Sequence, residues 1–140
     1  MARRRNIWGI KIMTDRDLLN MAREAAQQAY VPYSHFPVGA ALECADGSVF
    51  TGCNVENGAL GSTICAERTA IVKAVSEGRR KFVRIAIYGE GENYCMPCGS
   101  CRQVMSEFVG QGDMEILCTR SGGRYVSYRL SQLLPHPFEL

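Results

Sequence analysis

The chain has 140 residues, 46% of them apolar and 21% charged, ordinary values for one globular domain whose core needs no disulfides. Sixteen Lys and Arg against 14 Asp and Glu give a net charge of +2, which supplies no strong field for nucleic acid or an anionic membrane. No apolar run approaches the roughly 20 residues of a spanning helix. Seven cysteines with no signal peptide to accompany them point to metal or catalysis rather than to paired disulfides, and to a cytoplasmic protein.

Residues 1–14 read as an N-terminal tail, with a basic Arg3-Arg4-Arg5 run and Met13 available as a natural start, and 15–140 as a single domain. Thr14-Asp15-Arg16-Asp17 forms a helix N-terminus with a short-armed capping box. Leu18, Met21, Ala22, Ala25 and Ala29 continue it at helical spacing until Pro32. Residues 38–44 and 49–53 are strands around the hairpin signal Asp46-Gly47. The spacing of Ala66, Ala70, Ile71 and Ala74 predicts a helix over 65–75, stopped by Gly78. Residues 82–88 form a mostly apolar strand, expected to be buried on both faces. Pro97 suits the first turn of the next helix, which runs through Val104, Met105 and Phe108 to Gly110. Strands follow at 114–118 and 125–128 around Gly122-Gly123, and residues 130–134 add a helical turn before Pro135. The order α-β-β-α-β-α-β-β predicts a sheet covered by helices.

The chemistry concentrates in Cys65-Ala66-Glu67 and Pro97-Cys98-Gly99-Ser100-Cys101. Cysteines three apart at a helix start share a face and can place both thiolates on one metal ion. A third at another helix start completes three of zinc's four positions, and a catalytic zinc keeps the fourth for water. Helix N-termini also favour thiolate. Glu67, two residues after Cys65, could lean over the open position without being a ligand, which is the pattern of the zinc deaminases with Cys in place of His. Other readings stay open. The Cys98/Cys101 pair fits a redox motif. Cys95 in front of it begins an iron–sulfur run that fails at Met105. A structural zinc would recruit Cys95 or Cys53 as a fourth ligand. Cys44, Cys53, Cys95 and Cys118 otherwise read as small apolar residues, and His35 and His136 as exposed loop residues.

The segments 65–70 (Cys-Ala-Glu-Arg-Thr-Ala), 97–103 (Pro-Cys-Gly-Ser-Cys-Arg-Gln), 33–40 (Tyr-Ser-His-Phe-Pro-Val-Gly-Ala) and 52–57 (Gly-Cys-Asn-Val-Glu-Asn) resemble the short-chain, homotetrameric cytidine deaminases, as does Leu133-Leu134-Pro135. The resemblance runs from about Asp15 to Phe138 and implies an α/β fold, a three-layer α-β-α sandwich with a central mixed five-stranded sheet. It implies one Zn2+ per subunit on Cys65, Cys98 and Cys101, with Glu67 as proton shuttle. Asn54 and Glu56 would hold the ribose 3′-hydroxyl, Phe36 would pack on the pyrimidine ring, and the backbone around Ala66 would meet the base carbonyl. Arg68 and Gln103 would hydrogen-bond the metal-bound sulfurs, and Phe138 would reach a neighbouring subunit's site. The implied reaction converts cytidine and 2′-deoxycytidine to uridine and 2′-deoxyuridine plus ammonia, for pyrimidine salvage. Three thiolates leave one net negative charge on a divalent ion, and Arg68 beside them would drain part of it. At residues 58–64 the chain departs from the family pattern, with Leu60 for the usual Tyr and Gly61 for the usual Ser, in a segment expected near the subunit interface and pocket. Enzymes that act on blasticidin S lack the Glu of the Asn-x-Glu motif, so Glu56 favours an unmodified sugar. A modified cytosine nucleoside as substrate, or a non-catalytic zinc or redox-sensing protein on the same fold, are the alternatives.

Overall fold

In the computed structural model, which describes residues 12–140, Thr14 caps the first helix, α1 (Asp15–Ala26). The Thr14 hydroxyl accepts from the Asp17 amide and the Asp17 carboxylate accepts from the Thr14 amide, each at 3.1 Å, which is the expected capping box. The helix ends three residues before Ala29, and its buried face is Leu18, Leu19, Ala22 and Ala26 rather than the stripe through Met21 and Ala25. Met13 packs against this face and Thr14 is its cap, so the end of the expected tail belongs to the folded body. Residues 1–11 lie outside the described residues.

The strands are β1 (Gly39–Cys44), β2 (Val49–Cys53), β3 (Phe82–Tyr88), β4 (Glu115–Thr119) and β5 (Tyr125–Arg129). They form one mixed sheet in the order β2-β1-β3-β4-β5, in which only β3 and β4 run parallel. The helices α2 (Ala66–Ser76) and α3 (Gly99–Ser106) follow β2 and β3, and the short α4 (Leu130–Leu133) follows β5. The alternation of the strands divides the core. Ala41, Ala86 and Leu117 face α1, whereas Ala40, Leu42, Ile85, Ile87, Ile116 and Cys118 face α2, α3 and α4. The result is the three-layer sandwich, and the middle of β3 is buried on both faces as its apolar run requires.

Two glycines set the helix-to-sheet distances. A Cβ at Gly39 would fall 1.9 Å from the Ala22 carbonyl oxygen, and one at Gly52 would fall 2.5 Å from the Ala70 nitrogen. Bare backbone at Gly52 therefore lets the first turns of α2 rest directly on β2. The structure corrects the start of α3: Cys98 is its N-cap, so Pro97 lies just outside the helix instead of in its first turn. A turn of 3-10 helix at Leu60–Ser62, absent from the sequence-based order, crosses between β2 and α2.

Candidate metal centre

The N-termini of α2 and α3 converge on one point. Cys65 is the N-cap of α2, Cys98 is the N-cap of α3, and Cys101 stands one turn further along α3. The Cys65 and Cys98 sulfurs lie 3.8 Å apart, those of Cys98 and Cys101 3.5 Å, and all three lie within 4.8 Å of one another. Zinc–sulfur bonds of about 2.3 Å in a tetrahedron require sulfurs about 3.8 Å apart, so the spacing matches three corners of a zinc site. Three soft thiols are also the donor set zinc prefers over hard cations. Cys53, Cys95, Cys44 and Cys118 stand outside the trio, and none of the seven cysteines is in a disulfide. The iron–sulfur run and the closed four-cysteine zinc thus find no partner among the described residues.

Local structure holds the trio. The Cys65 carbonyl accepts from both the amide and the hydroxyl of Thr69, at 3.0 and 3.2 Å, fixing the cap of α2. Arg68 donates from Nη2 to the Cys65 sulfur at 3.4 Å, and its buried Nε has no hydrogen-bond partner among the described residues. An orphaned guanidinium nitrogen on the residue that meets the Cys65 and Cys101 sulfurs is a donor suited to more negative charge than the thiols carry. The hydrogen bond from Cys101, reinforced by Arg68, pulls the Cys65 thiol down to about 5, while the same contact and burial push Cys101 up. The contact thus favours the thiolate at Cys65 over Cys101, and a metal ion entering the site displaces the remaining thiol protons.

Glu67 is in the first turn of α2 and only 4% exposed. Burial, with the Cys65 charge added, raises its carboxyl above the ordinary carboxylate range. It is a buried carboxyl next to the place where a metal would sit. Ala66, fully buried, supplies the first helical N–H, which has no partner within α2.

The other expected residues come close through backbone pairing. Val55 is paired with Ile64, the neighbour of Cys65, by two hydrogen bonds of 2.9 Å, and the segment is joined to Tyr30 on its other side. Asn54 and Glu56 therefore stand on one short ribbon beside the trio. Their side chains reach the same loop. Asn54 donates to the Phe36 carbonyl and accepts from the Val38 amide, both at 2.9 Å. One Glu56 oxygen accepts from the Tyr33 and Ser34 amides at 3.1 and 3.0 Å, which holds its carboxyl below the usual range with Ser34 as the largest cause. Phe36, 39% exposed, lies over Gly89 and Gly91, where added Cβ atoms would stand 3.2 and 3.4 Å from its ring.

One expectation lands elsewhere. Gln103 does not meet a sulfur: its amide accepts from Phe138 N at 3.0 Å and donates to Phe138 O at 2.9 Å. Phe138 is thereby fixed by its main chain and is 71% exposed among the described residues. Thr119, Gly89 and Arg102 were not singled out as site residues from the sequence. Thr119, buried at the end of β4, accepts from Gly89 N at 3.0 Å and donates to Gly89 O at 3.1 Å, pinning the floor under Phe36.

Residues 12–116 match the family model described as the cytidine and deoxycytidylate deaminase zinc-binding region. The chain belongs to this family. It is 47% identical over 121 residues to the cytidine deaminase of Sporosarcina psychrophila, covering 86% of this chain and 88% of that protein. The crystal structure of cytidine deaminase from Burkholderia pseudomallei superposes with a TM-score of 0.85 at 45% identity, covering 90% of this chain and all of that one. The cytidine deaminase of Mycobacterium tuberculosis matches with a TM-score of 0.75 at 41% identity, over 91% and 99% of the two chains. The fold is that of these deaminases, and the three-cysteine cluster lies in the matched zinc-binding region. No helix among the described residues is long and apolar enough to cross a membrane.

Proposed function

We propose that this protein is a zinc-dependent hydrolase that deaminates cytidine and 2′-deoxycytidine to the corresponding uridines, releasing ammonia, in pyrimidine salvage. The observation that carries this reading is the buried Glu67 carboxyl, two residues from Cys65, beside three sulfurs spaced for one zinc ion. Residues 15–140 act as a single catalytic domain, working in the cytoplasm as a homotetramer with neither nucleic acid nor membrane as partner.

Cys65, Cys98 and Cys101 hold the ion. Zinc, when bound, supplies Lewis-acid activation of a water molecule at the position the three thiols leave open. Glu67 would take one proton from the attacking water and deliver it to ring N3, then take the second from the resulting C4 hydroxyl and pass it to the departing amine, so that ammonia leaves as the C4 carbonyl forms. The upward shift of its pKa by burial suits a group that must both accept and return a proton. Arg68 draws negative charge from the sulfurs and keeps the centre electrophilic. The carboxylate of Glu56 and the amide of Asn54 receive the ribose 3′-hydroxyl, Phe36 stacks on the pyrimidine, and the N–H of Ala66 meets the base carbonyl. Phe138 extends to the site of a neighbouring subunit. Gln103 serves that tail rather than the sulfurs.

Purified protein is mixed with cytidine and ammonia release is measured, with a zinc-chelated sample alongside. Rapid release that chelation abolishes is the expected result. A folded, zinc-loaded sample that releases nothing from cytidine or deoxycytidine would overturn the reading, and release from blasticidin S in that sample would favour the modified-nucleoside alternative.

A further inference from the structure

Arg102, next to Cys101 on α3, is half-buried and committed to main-chain carbonyls at both ends of a long link. Its Nε donates to the Pro97 carbonyl at 2.8 Å and its Nη1 donates to the Leu133 carbonyl at 2.9 Å. Its own amide donates to the Cys98 carbonyl at 3.0 Å. One residue therefore grips two consecutive carbonyls, those of Pro97 and Cys98, on either side of the Cys98 nitrogen.

The grip falls where the metal centre is least supported. Cys101 is buried and Cys65 half-buried with Arg68 on its sulfur, whereas Cys98 is exposed and has no side-chain cap bond. Packing does not fix the direction of the Cys98 Cα–Cβ bond, so its backbone must. The Pro97 carbonyl lies outside α3, and the Leu133 carbonyl closes α4, where the helix provides no N–H partner. The guanidinium satisfies both at once from two different nitrogens held in a rigid plane, a fixed spread that a single ammonium nitrogen lacks. Leu133 belongs to the core on the α3 side of the sheet, so the fork anchors the Cys98 peptide to packed structure.

We propose that Arg102 is a positioning residue for the metal centre, orienting Cys98 toward the ion through the Pro97 and Cys98 carbonyls. This rests on the reading of Cys65, Cys98 and Cys101 as zinc ligands. Arg102 touches neither ion nor nucleoside, and its effect is on how tightly the third thiolate closes.

The test loads parent, R102K and R102A with zinc and follows zinc transfer to a chromogenic chelator, with thermal unfolding of the same samples. R102A is expected to lose zinc about 10- to 100-fold faster than the parent, the range for residues that orient metal ligands. R102K, which reaches one carbonyl, falls between them while remaining folded. Turnover per retained zinc drops, and KM for cytidine moves less than about twofold. A folded R102K that keeps zinc as long as the parent overturns the proposal. An R102K chain that does not fold also overturns it, since Arg102 would then hold the fold and not the site. A parent that takes up no zinc fails at the metal centre itself, a result distinct from equal retention in parent and variant.

Discussion

The metal corner and the rim that would receive a nucleoside are built on opposite terms. At the corner, Ala66, Glu67, Pro97 and Cys101 are buried, and Cys65 and Arg68 are half-buried, on two helix starts supported by core packing. On the rim, Tyr30, Tyr33, Val55, Leu60 and Ile64 present large apolar side chains to water, with Leu60 76% exposed. Tyr30, Val55 and Ile64 are neighbours through backbone pairing, so this is a connected patch and not scattered exposure. Acid–base chemistry gains from low dielectric and fixed charge, and one chain supplies both. Recognition is left open on the single chain. There the polar residues Asn54 and Glu56 already spend bonds on the 33–38 loop. Changes at the corner should therefore lower kcat, and changes on the rim should raise KM.

The largest effect separates the two most cleanly. Glu67→Gln keeps shape and a hydrogen bond but cannot carry the proton, so kcat should fall by about 10²- to 10⁴-fold with KM nearly unchanged. Stability should move the other way. Burial raises the native Glu67 pKa above its unfolded value, so its contribution is favourable at low pH and is lost as pH rises through the native pKa. Metal-free Glu67→Gln should match the parent in melting temperature near pH 4 and exceed it by a few degrees near pH 8. A parent curve with no such pH dependence would mean that Glu67 is not held in a desolvated state.

Arg68→Gln and Glu56→Ala form the next pair, each about 10- to 100-fold but in different parameters. Loss of the guanidinium beside Cys65 should lower kcat with zinc still bound at one ion per chain by atomic absorption. Loss of the Glu56 carboxylate removes a charge-assisted contact and frees the Tyr33 and Ser34 amides, so KM should rise while kcat changes less. If both variants shifted the same parameter, the division between corner and rim would fail.

How much of this was legible in sequence depends on the range of the contact. The capping box at Thr14, the hairpin at Asp46-Gly47 and the stop at Gly78 are local signals, and the structure follows them closely. Gly47 and Gly78 take positive φ of 87° and 91°, as their turns demand. The cysteine spacing was legible because i and i+3 on a helix always share a face, and the second helix start needed only the fold to bring it in. Pro97 misled by two residues, since proline suits a position outside the cap as well as one inside it. The partners of Arg102, Gln103 and Thr119 were illegible: Leu133, Phe138 and Gly89 are 31, 35 and 30 residues away. All three partners are met through main-chain atoms, so no side-chain pattern marks them.

Thr119 offers the smallest and most specific test of the rim. Its hydroxyl is buried and both accepts from and donates to Gly89, whose bare Cα makes room for the Phe36 ring and the Cys95 sulfur. Valine has the same shape but neither donor nor acceptor, so Thr119→Val strands a buried N–H and C=O at a cost of about 1–3 kcal/mol. The loop from Gly89 to Cys95 is also tied to β4 by the Cys95 amide on the Thr119 carbonyl at 2.8 Å, a bond the substitution leaves intact. The floor under Phe36 should therefore loosen without detaching. KM for cytidine should rise a few-fold, zinc content should stay at one per chain, and kcat should hold. A fall in zinc content would show that the 89–95 loop steers Cys98 as well, and would join the rim to the corner through the backbone that runs from Gly89 into Pro97.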